Sequence, residues 1–214
     1  MAKVKMSKKS TRIDMTAMCD VAFLLLSFFI MSATAKQPEP KVVDTPASTV
    51  IDKLPEEGVA VITVGDKDVF FTIPRDIREE TLKRMSAKYK INFTAEEYKE
   101  FVKMDGFGVP MNQLNGLLKL TAVERGQANQ PGIPYDSVGN QLGDWVKEAR
   151  NANRDFLNGK LERNEPNVVF KDLDIAIKGD AKENYTTVKS VIDILQEQKK
   201  NRFFLVTGLR SENF

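Results

Sequence analysis

Residues 15–35 are 21 consecutive positions carrying a single charge, Asp20. A helix rises about 1.5 Å per residue, so this run reaches the roughly 30 Å of a hydrocarbon core. The residues on either side give it a direction. Residues 1–14 hold Lys3, Lys5, Lys8, Lys9 and Arg12 against Asp14, a net of +4. From residue 36 onward, 27 basic residues face 28 acidic ones, a net of −1. Positive charge is retained on the cytoplasmic side of a span, so the N-terminus is expected in the cytoplasm and everything after residue 35 outside it. The formal net charge of the whole chain is only +2, which points to no nucleic-acid partner.

Three readings of the run are open from its residues. The first is a cleaved leader, supported by the basic start, the apolar core over 21–31 and Ala33-Thr34-Ala35 as a small-residue site. The second is a plain anchor that tolerates Asp20. The third is a working membrane carboxylate. An aspartate near a helix centre costs about 2.5–3.5 kcal/mol on insertion. Neither a leader nor an anchor gains from that cost. Thr16, Asp20, Ser27 and Thr34 follow at intervals of four, seven and seven, which places them along one helical stripe. Val21, Phe23, Leu25, Leu26, Phe28, Phe29 and Ile30 are assigned to the remaining faces. Serine and threonine in such helices often bond back to their own carbonyls, which accounts for Ser27 and Thr34 but not for Asp20. Intramembrane carboxylates mark ion and proton paths.

The rest of the composition narrows the chemistry. The chain has no histidine, and its one cysteine, Cys19, lies inside the apolar run. Histidine-based catalysis, the usual zinc sites and disulfides in the outer part are thereby excluded. No cofactor or metal is expected, and an enzyme is the least supported class.

Beyond the span, residues 36–57 carry Pro38, Pro40, Pro46 and Pro55 among charged and small residues, an extended linker. It is either a spacer or a segment whose Val42-Val43 docks by strand addition on the chain itself or a partner. Residues 59–73 read as a hairpin turning at Gly65-Asp66-Lys67-Asp68 and closed by Pro74. Asp66 and Asp68 suit a turn better than calcium, because no glutamate follows at the needed spacing. Helices are then expected from Arg75 to about Gly159. Ile77, Leu82 and Met85 are core positions of the first, and Thr94 to Glu97 is a capping box opening the second. A short helix over 111–120, a loop over 126–139 and a helix over 142–156 with Trp145, Val146 and Ala149 inward complete this stretch. The last unit reads as strand, helix, strand. Residues 168–170 and 173–177 are strand-like, Gly179-Asp180 turns, and Tyr185, Val188, Val191, Ile192 and Leu195 make one helix face. Phe203-Phe204-Leu205-Val206 is a strand, buried or free to pair with a second copy. Asp180 is given a turn or cap role.

Ile13, Thr16, Asp20 and Val21, followed by the apolar helix, resemble the signature of the ExbD/TolR proteins. Asp14 and Ala17 stand where that pattern usually has asparagine and proline. Residues 41–48 are similar to the short V-x-V-x-L-P-A-S stretch after the span, with Thr45 in place of leucine; Ile51-Asp52-Lys53-Leu54-Pro55 is a competing match. Residues 175–209 look like the family's strand–helix–strand ending. The similarity covers roughly residues 10–75 and 165–210.

The resemblance implies an α/β chain: a basic tail over 1–14, one transmembrane helix over 15–35, the linker over 36–57 and a periplasmic α+β domain over 58–214. The domain holds a helical insertion at about 75–160. It also implies an inner-membrane motor subunit in which Asp20 carries protons beside the polar seam of Thr16, Ser27 and Thr34. Val42, Val43 and Pro46 would be its partner-binding linker. The expected partners are an ExbB/TolQ-type membrane protein holding two copies of this chain, and a TonB-like periplasmic protein. Alternatives are a Tol-type envelope motor, a secreted binding domain with a cleaved leader, and a flagellar-stator-like protein, which would carry a peptidoglycan-binding domain at its C-terminus.

Overall fold

A computed structural model describes residues 15–32, 40–48, 54–55, 58–136, 139–163 and 169–209. Thr34, the Ala33-Thr34-Ala35 site, Ile51 to Lys53 of the competing stretch and Val168 lie outside the described residues. The chain divides into two compact units, Met1–Lys36 and Gln37–Phe214.

In the first unit, α1 (Met15–Ser32) is an 18-residue helix none of whose residues is buried. It is about 27 Å long, long and apolar enough to cross a membrane.

The second unit is built on a four-stranded sheet. Its strands are β2 (Val59–Gly65), β3 (Asp68–Thr72), β4 (Asp174–Gly179) and β5 (Phe204–Val206), in the order β3-β2-β4-β5. The β2–β3 hairpin is antiparallel and turns at Asp66 and Lys67, both with positive φ. Such paired left-handed residues match the twist of a two-residue hairpin. β4 pairs parallel with β2 and β5 parallel with β4. Parallel neighbours need a crossover, and both crossovers are helical. Five helices separate β3 from β4: α2 (Arg75–Tyr89), α3 (Ala95–Lys103), α4 (Leu114–Leu118), α5 (Ala122–Gln127) and α6 (Gln141–Glu162). α7 (Tyr185–Glu197) joins β4 to β5. The expected mixed α/β fold with a helical insertion is therefore present.

The insertion packs on the sheet through aromatic rings. Phe71 of β3 meets Phe107 edge-on at 6.5 Å, and Phe107 meets Trp145 of α6 at 4.7 Å. Phe101 of α3 lies 5.4 Å from Phe107 and 6.0 Å from Trp145. Ile77, Leu82 and Met85 of α2 are buried, as their spacing predicts. Arg78 is buried beside them: its Nε donates to the Ile73 carbonyl at 2.7 Å and its Nη1 to the Val102 carbonyl at 2.9 Å. One guanidinium thus ties the end of β3 to the end of α3. The free side of β3 is closed by two loops of the insertion, one between α3 and α4 and one between α5 and α6. Phe71 and Phe107 exchange backbone hydrogen bonds, and Ile133 N–H donates to the Val69 carbonyl at 2.8 Å. Gly132 makes that approach possible, since its φ is +85° and an added Cβ would lie 2.9 Å from Val69 N.

Several expectations need correction. The capping box at Thr94 and Glu97 forms, but a second one, Thr121 with Glu124, opens α5 within a stretch assigned partly to a loop. The short helix expected over 111–120 is confined to Leu114–Leu118, and α6 runs six residues past Phe156. Val169 and Phe170 are exposed and lie in no strand. β2 begins at Val59 opposite Asp174, so no neighbouring strand reaches them, and Asn153 of α6 instead donates to the Lys171 carbonyl. Tyr185 sits in the outward first turn of α7 and is exposed, while Val191, Ile194 and Leu195 face the core.

Candidate functional site

Asp20 lies in the second turn of α1, inside the helix and not at its frayed end. Its side chain is exposed, and it has no hydrogen-bond or ion-pair partner among the described residues. Thr16 is one turn before it and Ser27 two turns after, within about 40° of arc at 100° per residue. The stripe is less continuous than the intervals suggest. Phe23 is three residues past Asp20 and four before Ser27, so it sits between them on the same face. The Ser27 hydroxyl is spent on the Phe23 carbonyl at 2.8 Å, the back-bond expected of serine in an apolar helix. The carboxylate therefore stands beside a ring, with Thr16 behind it. Other helices must supply any polar path past Phe23.

The second feature is in the outer unit, where residues 40–48 lie against the sheet as a strap. Val43 is 7 % exposed, whereas Val42 is 82 % exposed. The Asp44 carbonyl accepts from Ala181 N–H at 2.7 Å, and Asp44 N–H donates to an Asp180 carboxylate oxygen at 3.4 Å. The Pro46 carbonyl accepts from Gly208 N–H at 2.9 Å. The strap ends in β1 (Ala47–Ser48), which pairs parallel with β6 (Gly208–Leu209). Lys41 forms an ion pair with Asp66 at 2.5 Å; that hydrogen bond raises the Lys41 pKa and lowers that of Asp66. Both are too exposed for the pair to carry much stability.

Gly65 makes room for Val43. A Cβ on Gly65 would lie 2.8 Å from the Val43 Cγ1. Burying a valine is worth about 1.5–3 kcal/mol. Gly65→Val is accordingly expected to expel the strap, exposing the Ala181 and Gly208 amides while the four-stranded sheet persists. Hydrogen exchange at those two amides reads the change, and unaltered protection there would show that the strap is held by something else.

Asp180 is the hub of the strap's far end. One carboxylate oxygen accepts from Lys182 N–H at 2.8 Å and the other from Asp44, and its own N–H donates to the Val64 carbonyl. This is the turn role expected of it. Within the chain, the strand that the linker adds is Ala47-Ser48 and not Val42-Val43. The strap's anchors on Gly65, Asp180 and Gly208 had no sequence signal beyond glycine and aspartate at strand ends.

A family model described as Biopolymer transport protein ExbD/TolR matches residues 6–209, from the basic tail through α1, the strap and the insertion to β6. The chain belongs to the ExbD/TolR family. No curated protein matches it, and no solved structure does. ExbD/TolR proteins are subunits that energise biopolymer transport, form a non-enzymatic family and work in membrane complexes with ExbB/TolQ-like partners. One apolar helix at the N-terminal end fits a single-pass ExbD/TolR protein. The match also runs across the helical insertion, for which the residues themselves suggested no counterpart.

Proposed function

We propose that this chain is a motor subunit driven by the proton-motive force, with Asp20 as its proton carrier. It crosses the inner membrane once, with the N-terminus in the cytoplasm and the outer unit in the periplasm. Two copies stand within an ExbB/TolQ-type assembly, and a TonB-like periplasmic protein receives the work. The single observation that carries this is a lone carboxylate on the surface of an otherwise apolar helix, unpartnered among the described residues.

The physics follows from charge cost. Protonated, Asp20 is neutral and can face hydrocarbon; ionised, it needs a hydrated or polar pocket. A gradient that loads it from one side and unloads it on the other drives it between those settings. The supply is about 2.3 kcal/mol per charge for each 100 mV, comparable to the cost of exposing the charge, so one proton can bias one rearrangement. Phe23 closes this helix's own stripe, which is why a partner is required. The strap offers a connection that can be held or released between the motor and the outer unit.

Purification of a tagged chain from membranes tests the reading. A multi-span ExbB/TolQ-type protein should come with it, and the intact mass should include residues 1–35. A mature chain beginning at Lys36 would overturn it.

A further inference from the structure

The insertion carries a cleft of about 420 Å³ that the motor reading does not use, lined by Arg150, Asn153, Arg154, Phe170, Lys171 and Asp172. It lies between the second half of α6 and the segment leading into β4. Most of its charges are already engaged. Arg150 holds Asp172 with two hydrogen bonds, at 3.1 and 3.0 Å, and also donates to the Gln198 carbonyl. Lys200 reaches the same carboxylate at 3.1 Å. Burial alone would raise the Asp172 pKa, but Arg150 and Lys200 outweigh it and hold the carboxyl below its ordinary range. Lys171 pairs with Asp174 and keeps a side chain that is 60 % exposed.

Arg154 remains. It is exposed and has no ion-pair or hydrogen-bond partner among the described residues; the neighbouring Asp155 is turned to Arg84. Among the described residues around this cleft, four cations meet two carboxylates, an excess of positive charge. Beside the cations stand Phe170, 54 % exposed, and Val169, 77 % exposed. Exposed aromatic and aliphatic side chains next to an unpaired arginine are the composition of a protein-binding hot spot.

We propose that this cleft binds an extended acidic segment of a partner protein, with a carboxylate on Arg154 and an apolar side chain against Phe170. A peptide suits it better than a lipid surface, because the cations line a concavity and do not crown a protruding face. The proposal does not depend on proton carriage by Asp20, and its test leaves that role untouched.

The test uses the full chain in nanodiscs of zwitterionic lipid and a labelled peptide of alternating aspartate and leucine, followed by fluorescence anisotropy. Saturable binding is expected, weakening with salt. Arg154→Glu and Phe170→Asp should each weaken it about tenfold, the scale of losing one anchoring contact. Arg154→Gln should give an intermediate loss, and Lys99→Glu, on exposed α3 surface, none. All four variants should melt like the parent chain. The proposal is overturned by absent saturable binding, by an equal loss in Lys99→Glu, or by equally tight binding of an all-aspartate peptide. Displacement of the peptide by phosphatidylglycerol vesicles would assign the cleft to lipid and overturn it as well.

Discussion

Asp20→Asn is expected to reduce energised transport to the level of cells lacking the chain, with the amount of chain in the membrane unchanged. Asparagine keeps the size and hydrogen-bonding reach of the side chain but cannot gain or lose a proton at neutral pH. It also takes the charge out of the span, so α1 should enter the bilayer at least as well as before. Loss of function without loss of insertion or of partner copurification separates a titrating role from a packing role. Asp20→Glu should retain part of the activity, because it titrates but places its carboxyl one methylene further out. Transport at the parental rate in Asp20→Asn would end the proton-carrier reading, and a chain that no longer copurifies would assign Asp20 to assembly instead.

The second large effect belongs to the outer unit. Trp145→Ala should destabilise it by about 3–5 kcal/mol, the range for emptying a large aromatic site in a core. For a unit of this size that is a fall in melting temperature of about 6–20 °C. Trp145 is fully buried and touches the rings of Phe101 and Phe107, through which α6 and α3 reach Phe71 of the sheet. Its removal takes away the ring against which Phe107 and Phe101 pack behind the sheet contact. Trp145→Phe should cost much less. The indole Nε1 is buried without a hydrogen-bond partner among the described residues, so phenylalanine keeps much of the ring packing and sheds an unsatisfied donor. Far-UV circular dichroism of the full chain reads both variants. Equal melting temperatures for Trp145→Ala and the parent would mean that the insertion is docked elsewhere.

How much of this could be read in advance depended on whether the signal was local. The hairpin was legible because turn residues stand between two β-branched runs, and the inward face of α2 because Ile77, Leu82 and Met85 recur at helical spacing. α5 escaped although Thr121 and Glu124 repeat the pattern of Thr94 and Glu97; the glycine, proline and asparagine that follow outweighed a six-residue helix. Val169 and Phe170, read as part of a strand, lie in none because β-branched and aromatic composition is only a preference, and the neighbour that would satisfy the backbone is not there among the described residues. The position of Asp20 was legible, being a charge against a uniform background. The strap was not. Its contacts join residues as distant in the chain as Pro46 and Gly208, 162 positions apart, and composition alone gives proline-rich segments the look of a spacer.

The order of the strap's contacts has a mechanical consequence. From its N-terminal side the chain meets Lys41 on Asp66, then Val43 on Gly65, then Asp44 on Ala181, then Pro46 on Gly208, and last the β1–β6 pair. Tension applied from the α1 side loads these one at a time. The β1–β6 strands are parallel, and β6 is tied to the sheet at the same end from which β1 would be pulled, so the pair peels and does not shear. The force needed to free the strap is therefore set by its strongest single link and not by their sum.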